Sequence, residues 1–171
     1  MTTIEIIPAR PEEKSVIANL LQLYIHDFTD HWTGEGAELG DDGRFAYPWL
    51  DSYWRDAGRE PLIFRAGGRL AGFALLNKLT HSGLPADWNM AEFFIARKYR
   101  RGGAGTAAAH AIFTARPGLW EAAVMRTNTG ALPFWRKAAA GHPLVSDVEE
   151  LDVATGDWNG PILRFRIGSL P

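Results

Sequence analysis

Hydrophobic and polar residues alternate with two different periods along the chain, and each period predicts a type of element. Alternation over residues 3–8 predicts a short strand that ends at a proline. Pro11 followed by two glutamates is typical of a helix start, because acidic residues favour the positive end of the helix dipole. The apolar residues that follow recur at helical spacing and predict one buried face: Ile17, Leu20, Leu21, Tyr24 and Phe28.

The next part of the chain predicts a loop, a short helix and a hairpin. Residues 33–44 are polar and rich in glycine, which is typical of a loop. Residues 47–57 predict a short second helix with its aromatic residues on one side. Two strand-like segments, 62–65 and 70–76, flank an Ala-Gly-Gly-Arg sequence, and this pattern predicts a β-hairpin.

The remaining residues alternate between predicted strands and helices. Strands are predicted at residues 89–96, 119–125, 145–153 and 161–167. The helix after the first of these strands has a narrow apolar stripe, formed by Ala104, Ala107, Ala108, Ala111 and Ile112. His110 lies off this stripe and is predicted to face solvent, and a last helix is predicted at residues 129–141, where a glycine ends it. Helices between strands, with a hairpin in the middle, predict a mixed sheet.

Composition narrows the class of protein. The 171 residues are 46% hydrophobic with a formal net charge of −2, which predicts one domain over residues 1–171 and no global attraction to nucleic acid or an acidic membrane. No cysteine is present, which excludes disulfides, thiolate nucleophiles and cysteine metal sites. With no signal-like or membrane-length apolar run, we expect a cytoplasmic protein without a metal.

The joint between the third predicted helix and the strand before it carries candidate chemistry. Residues 97–113 read RKYRRGGAGTAAAHAIF, so an arginine pair, Arg100 and Arg101, runs into three glycines where the helix is predicted to start. Glycines allow a close backbone approach to a ligand, and the first turn of a helix has unpaired N–H groups that bind phosphate. Two interpretations stay open: a site for a pyrophosphate at residues 101–106, or a tight turn with surface arginines.

Two common nucleotide motifs do not fit this joint. No Gly-Lys-Ser or Gly-Lys-Thr occurs, so the phosphate loop of nucleotide triphosphatases is missing. The glycines stand at positions 102, 103 and 105 with Ala108 after them, which is not the G-x-G-x-x-G of dinucleotide-binding folds. Both functions are therefore disfavoured.

The joint resembles the acetyl-CoA signature of the GNAT superfamily of acyl-CoA N-acyltransferases, R/Q-x-x-G-x-G/A. It reads RRGGAG at residues 100–105 and follows a predicted fourth strand. A second family pattern, N-x-x-A-x-x-F-Y, is similar to NTGALPFW at residues 128–135, before the last predicted helix. The resemblance implies an α/β (α+β) fold: a mixed, mostly antiparallel sheet of about seven strands, flanked by about four helices, with splayed fourth and fifth strands.

The resemblance also implies a co-substrate, acetyl-CoA, and a set of residues that bind it. Backbone groups of residues 94–96 would pair with the pantetheine amides and polarise the thioester carbonyl, and N–H groups of residues 101–106 would wrap the pyrophosphate. Asn128 would hydrogen-bond the pantetheine or nucleotide portion. The cofactor-binding residues implied in this way are Phe94, Ile95, Ala96, Arg100, Arg101, Gly102, Gly103, Ala104, Gly105, Thr106, Asn128 and Trp135.

Glu92 is the candidate catalytic base, since it lies in the strand that would present the thioester. A carboxylate beside a largely apolar strand has a raised pKa, which suits proton transfer near neutral pH. Two structural alternatives stay open: Glu92 pairs with an arginine, or it lies on the solvent side of the sheet.

Trp135 departs from the family pattern, because many members have a tyrosine there that protonates the leaving thiolate. An indole N–H cannot deliver a proton, so Trp135 could pack against CoA or donate a hydrogen bond. The resemblance as a whole implies an N-acetyltransferase that acts on a primary amine. The alternative is a catalytically weak or inactive CoA-binding sensor or regulatory module of the same fold. An unrelated anion-binding α/β domain is a third interpretation.

The amine acceptor is not identified by the sequence. A polyamine, an aminoglycoside, an amino acid, and a protein N-terminus or lysine all remain open. The resemblance also allows a homodimer, because dimers are frequent in the family and predicted edge strands lie near the C-terminus.

Overall fold

The computed structural model describes residues 3–32 and 35–170, so the first two residues of the predicted loop at 33–44 lie outside the described ranges. The strands are β1 (Ile4–Pro8), β2 (Glu60–Ala66), β3 (Arg69–Asn77), β4 (Trp88–Ile95), β5 (Gly118–Ala123), β6 (Val145–Ala154) and β7 (Asn159–Ile167). The α-helices are α1 (Lys14–Phe28), α2 (Ser52–Arg55), α3 (Ala104–Thr114) and α4 (Ala131–Ala140).

The strands form one mixed sheet in the order β1-β2-β3-β4-β5-β7-β6. Neighbouring strands are antiparallel except for β4 and β5, which run parallel and pair only through Trp88 with Trp120 and Asn89 with Glu121. Beyond these pairs β4 stays on β3 while β5 stays on β7, so the two strands part. The predicted mixed sheet with splayed fourth and fifth strands is confirmed.

Helices cover both faces of the sheet. Because successive side chains of a strand point to opposite faces, the apolar strands contribute to a hydrophobic core on each face. On β2, Leu62 and Phe64 pack toward α3 and α4, whereas Ile63 between them packs toward α1 and α2. A strand that is buried on both faces reads as a continuous apolar run, which explains the sequence LIF in β2.

A β-bulge in β4 reverses its alternation. Leu75 of β3 lies opposite Glu92, but the next residue, Leu76, lies opposite Met90, so Ala91 is an extra residue in β4. Because side chains alternate with a period of two, one extra residue moves every following side chain to the other face. Met90 therefore packs in the core under α3 and α4, while Glu92 faces the side covered by α1.

Two helices differ from their predictions. The predicted helix at 47–57 is a single turn, α2, because Pro48 and a 3₁₀-like turn occupy its first half. In α3 the stripe is rotated: Ala109 and Phe113 are buried, whereas Ala107 and Ala111 are exposed. The bulk of Phe113, which packs on the rings of Trp120 and Phe165, orients the helix.

His110, predicted to face solvent, is half-buried between α3 and α4. Its Nε2 lies 2.8 Å from the carbonyl oxygen of Ala138, and its ring contacts that of His142. Among residues 3–32 and 35–170, no helix is both long and apolar enough to cross a bilayer.

His142 is buried in its neutral form with both ring nitrogens bonded. The N–H of Leu144 donates to Nδ1 at 3.2 Å, and Nε2 lies 3.0 Å from Thr114 Oγ1, which itself donates to the carbonyl oxygen of His110. Nε2 is therefore the protonated nitrogen. Burial, with a further contribution from His110, lowers the pKa of His142.

We expect the free energy of unfolding to fall as the pH drops below 6.5, the ordinary histidine pKa. Below this pH the histidine binds a proton in the unfolded chain but stays neutral in the folded protein. The free energy of unfolding therefore keeps falling until the pH reaches the lower pKa of folded His142. His142→Gln will flatten this dependence in urea unfolding followed by tryptophan fluorescence. His81, whose pKa burial also lowers, will keep part of the slope. Equal slopes in wild type and His142→Gln would contradict the assignment.

Candidate active site

A cavity of about 200 Å³ opens on the α1 side of the sheet, next to the point where β4 and β5 part. Its wall comes from segments that are distant in sequence: α2 and the turn before it, the residue before β2, the end of β3 with the loop that follows, and β4. The side chains that line it include Tyr47, Trp49, Tyr53, Arg59, Asn77, Leu79, His81, Asn89 and Glu92. The bulge at Ala91 places Glu92 in this wall.

Glu92 is surrounded by tyrosine hydroxyls. The Tyr47 hydroxyl donates to Glu92 Oε1 at 3.0 Å, and Tyr24 of α1 lies near the same carboxylate. Burial raises the pKa of Glu92 to about 7, although the neighbouring hydroxyls of Tyr24 and Tyr47 act to lower it. In the described part of the chain, no arginine or lysine forms an ion pair with Glu92. A carboxylate with this pKa can accept and release a proton near neutral pH.

Tyr24 and Tyr47 are the residues that sequence reasoning missed at this position. Tyr24 lies on the apolar face of α1, where its ring packs against Phe73 and Phe94, and it gave no signal of a polar role. Tyr47 is 45 residues from Glu92 in sequence. Burial and the nearby carboxylate raise the pKa of both tyrosines, so both hydroxyls stay protonated and act as donors.

A row of amide groups continues the polar wall away from Glu92. Asn89 Nδ2 donates to Asn77 Oδ1 at 3.0 Å, and Asn77 Nδ2 donates to the Tyr53 hydroxyl oxygen at 3.2 Å. The Oδ1 atom of Asn89 is buried without a hydrogen-bond partner among the described residues. An unpaired buried acceptor is costly, so a donor supplied here would be stabilising.

A buried ion pair holds the loop between β3 and β4 against this wall. Arg164 Nη1 lies 2.7 Å from Glu121 Oε2, and the two side chains are only 7% and 0% exposed. The backbone N–H of His81 donates to Glu121 Oε1 at 2.7 Å, and Arg164 Nη2 donates to the Pro85 carbonyl at 2.7 Å. The His81 ring stacks on Trp158 with centroids 4.1 Å apart. The loop is therefore fixed at both ends.

The glycine joint before α3 presents a run of free backbone donors. The first helical bond runs from Ala107 N–H to the Gly103 carbonyl at 2.9 Å, and residues 101–106 donate no backbone hydrogen bond within the described chain. Arg101 and Gly103 adopt the left-handed conformation, with φ of 64° and 84°. Successive N–H groups in such a turn converge and, with the helix dipole, favour an anion. The space where a Cβ of Gly102 or Gly103 would stand is open.

Arg100 is bonded within the protein rather than free at this turn. Its Nε donates to the Ile95 carbonyl and its Nη2 to Asp27 Oδ2, both at 2.6 Å. Arg97 donates to the other oxygen of Asp27 at 2.6 Å. Burial of Asp27 opposes ionisation, but the hydrogen bonds from Arg100 and Arg97 lower its pKa. Arg100 therefore ties the joint to α1 and β4, and Arg101 is the arginine exposed beside the free N–H groups.

The gap between β4 and β5 lies behind this joint. Ala96 N–H donates to the Ala71 carbonyl at 2.8 Å and so belongs to the ladder with β3. Backbone direction alternates along a strand, so Phe94 also faces β3, whereas the N–H of Ile95 faces the gap. Of the three backbone residues implied for the pantetheine, Ile95 is the one directed there.

Aromatic side chains line the side of the gap formed by α4. The Phe93 and Phe134 rings lie 5.7 Å apart, and a Cβ on Gly105 would stand 3.2 Å from the Phe134 ring, so glycine allows this close packing. Trp135 is only 7% exposed and packs on the ring of Phe93 in the core. Asn128 is half-buried before α4, and its carbonyl accepts the N–H of Ala131 at 3.1 Å.

The structure thus brings the predicted residues to two adjoining places. Residues 101–106 and Ile95 lie along the joint and the gap, and Glu92 lies in the cavity on the same strand. Within the ranges that the structure covers, no three His, Asp or Glu side chains cluster closely enough to hold a metal ion.

Solved structures with the same fold include acetyltransferases. An acetyltransferase from Thermus thermophilus matches with a TM-score of 0.67 and 16% identity, over 98% of this chain and 99% of that one. The PaiA N-acetyltransferase of Thermoplasma acidophilum, in complex with coenzyme A, matches with a TM-score of 0.61 and 14% identity, over 96% and 99%. Ard1 of Thermoplasma volcanium matches with a TM-score of 0.57 and 16% identity, over 98% and 99%.

No curated protein matches the chain significantly. The family model described as the acetyltransferase (GNAT) family matches residues 17–140, which is more than half of the chain. This range includes the bulged strand β4, the glycine joint and α4, the elements that build the cavity and the gap. The chain therefore belongs to the GNAT family of acetyltransferases.

Proposed function

We propose that this protein transfers the acetyl group of acetyl-CoA directly to a primary amine. The observation that carries the proposal is the position of Glu92. Its side chain lies in an open cavity on one face of β4, while the backbone of the same strand opens onto the gap. A base and a backbone donor on one strand can serve the two reactants of an acyl transfer.

The joint and the gap fit acetyl-CoA as a co-substrate. The free N–H groups of residues 101–106 would hold the pyrophosphate, and the open space at Gly102 and Gly103 leaves room for it. The N–H of Ile95 would bond the pantetheine arm or the thioester carbonyl. Phe134 and Trp135 of α4 pack on Phe93 of β4 beside the gap, and Asn128, which precedes α4, would hydrogen-bond the pantetheine or nucleotide portion.

The chemistry requires no covalent enzyme intermediate. The neutral amine nitrogen attacks the thioester carbonyl, the C–N bond forms and the C–S bond breaks. The nitrogen loses a proton to Glu92, either directly or through a water molecule, and the thiolate takes up a proton from solvent. An alkyl thiol has an ordinary pKa of about 8.5, so its thiolate leaves without a strong acid. A tyrosine at position 135 is therefore dispensable.

A CoA-binding sensor remains the competing function. It would use the same joint and gap, and the burial of Trp135 without a neighbouring acid agrees with it. A sensor would not need Glu92 at an ionisable position in an open cavity, which favours the enzyme. Turnover separates the two functions.

We expect Gly102→Glu to weaken acetyl-CoA binding by roughly tenfold or more, because it places a negative charge among the free N–H groups that would hold the pyrophosphate. Gly102→Gln is the matched control, with the same size and no charge, and it should bind within about threefold of wild type. Isothermal titration calorimetry measures both. Equal affinities for the two variants would place the pyrophosphate elsewhere.

We expect kcat/KM to rise with pH through an apparent pKa of about 7, the value for Glu92, because the base must be deprotonated. Glu92→Gln should lower kcat roughly 10²- to 10⁴-fold and remove this rise with pH. Tyr47→Phe should move the rise to higher pH, since it removes a hydrogen bond that stabilises the carboxylate. The rate of thiol release with one amine, measured for wild type and both variants across a pH series, tests these expectations.

Glu149→Gln, on the exposed surface of β6, is the control for this series and should keep the wild-type profile. An unchanged profile in Glu92→Gln would show that another group is the base. Acetyl-CoA binding without thiol release by wild type for any amine would favour the sensor.

A further inference from the structure

Arg59 lies in the cavity wall, and its guanidinium has one acidic neighbour at ion-pair distance but donates no hydrogen bond to it. Its side chain is 17% exposed, and its nearest acidic group, Asp56 Oδ2, is 3.6 Å from Nε, beyond hydrogen-bond distance. The guanidinium carbon lies 5.2 Å from the centre of the Tyr53 ring, which holds the side chain in place. No hydrogen bond from Arg59 is formed within residues 3–32 and 35–170.

Other enclosed arginines of the protein are fully engaged. Arg116, at 14% exposure, lies 2.7 Å from Glu60, and Arg164 bonds Glu121, Ser82 and Pro85. A half-buried cation without hydrogen bonds is costly, so such donors normally have acceptors. In the described chain, the side-chain N and O atoms that are fully buried without a hydrogen-bond partner belong to Asn89 and Trp158, not to Arg59. Because the N–H groups of Arg59 have no partner either, they must be accessible from the cavity or from solvent.

The charges in the cavity wall are few and of opposite sign. Glu92 and Arg59 both line it. His81 lines it too, but burial lowers its pKa, so it is neutral at pH 7. Tyr47 and Tyr53 are neutral because burial raises the pKa of each. A ligand that complements this wall carries one amine and one negative group.

The mouth of the cavity is apolar. Trp49 and Leu79 both line it and are 61% and 62% exposed. Exposed apolar side chains around a cavity with polar groups inside are typical of a binding site. They would cover an apolar part of a ligand that points outward.

We infer that the amine acceptor is a small amino acid-like compound whose carboxylate is bound by Arg59, an inference that rests on the proposed function. The amine would lie at Glu92, the carboxylate would accept hydrogen bonds from the guanidinium, and an apolar side chain would meet Trp49 and Leu79. Arginine forms paired hydrogen bonds with a carboxylate, which fixes the orientation of the compound.

This assignment separates the acceptors that the sequence left open. A polyamine or an aminoglycoside would bring a second ammonium group toward Arg59, where like charges repel. The side-chain amine of a lysine and the N-terminal amine of a protein both belong to residues whose own carboxyl group is tied up in a peptide bond. A free amino acid has both groups and is small enough for the cavity.

The test compares compounds that differ only in the carboxylate. L-phenylalanine, L-methionine and L-leucine are each paired with their amides, and spermidine is the polycation. Binding to the protein saturated with CoA is measured by calorimetry, and thiol release from acetyl-CoA is measured in parallel. The variants are Arg59→Met and Arg59→Lys, with Arg55→Gln, an exposed arginine in α2, as the control.

We expect wild type to bind at least one of these amino acids about 10- to 100-fold more tightly than its amide, the range for one charge-assisted contact. Arg59→Met should abolish this preference by raising the KM for the amino acid. Arg59→Lys should restore part of the preference, and Arg55→Gln should keep it. Unchanged acetyl-CoA affinity in each variant shows that the fold is intact.

Three results would overturn the inference. These are equal or tighter binding of the amides, tighter binding of spermidine, or a preference for the carboxylate that persists in Arg59→Met. Each leaves the proposed acetyl transfer standing if acetyl-CoA binds and any amine releases thiol. A failure of acetyl-CoA to bind would remove the proposed function and this inference together.

Discussion

The parting of β4 from β5 is the constraint on which the rest of the site depends. The two strands are joined by two residue pairs and then separate, because β4 goes on pairing with β3 while β5 goes on pairing with β7. Backbone groups along the gap lose their sheet partners, and such groups are costly unless something pairs with them. The same separation brings the glycine joint to the mouth of the gap, since the joint follows directly from the end of β4.

A buried ion pair stands at the point of separation. Glu121 lies opposite Asn89 in the last residue pair of β4 and β5, and opposite Arg164 of β7. Its carboxylate also holds the loop between β3 and β4. A buried pair contributes little net stability but is very costly to break from one side, by about 3–5 kcal/mol. The pair therefore fixes where the sheet opens and where the cavity wall stands.

Glu92 and the joint are coupled through one strand. The bulge at Ala91 turns Glu92 toward the cavity, and further along the strand the carbonyl of Ile95 accepts the Arg100 guanidinium that also bonds Asp27 of α1. α1 thus contacts both places, at the joint through Asp27 and at Glu92 through Tyr24. A shift of α1 would alter both, which explains why a helix outside the cofactor motif matters to the site.

The sequence by itself determined the elements and the cofactor motif. Alternation and helical spacing identified all seven strands and the positions of the four helices, because burial on one face or two leaves a local pattern. The RRGGAG and NTGALPFW segments are local too, since a strand-to-helix turn that offers backbone donors needs its glycines close together in sequence. Three predictions were wrong: the length of α2, the buried face of α3 and the exposure of His110. Each depends on residues elsewhere in the chain, such as the rings that contact Phe113.

The tertiary structure alone decided the chemistry around the motif. Tyr47 meets Glu92 across 45 residues and Asp27 meets Arg100 across 73, and nothing in the local pattern signals such pairs. The face on which Glu92 lies depends on a single extra residue in β4, which a hydrophobic pattern cannot resolve when both faces are buried. Nothing in the sequence singles out Arg59, and only its place in the cavity wall, over the Tyr53 ring and without a hydrogen-bond acceptor among the described residues, gives it a role.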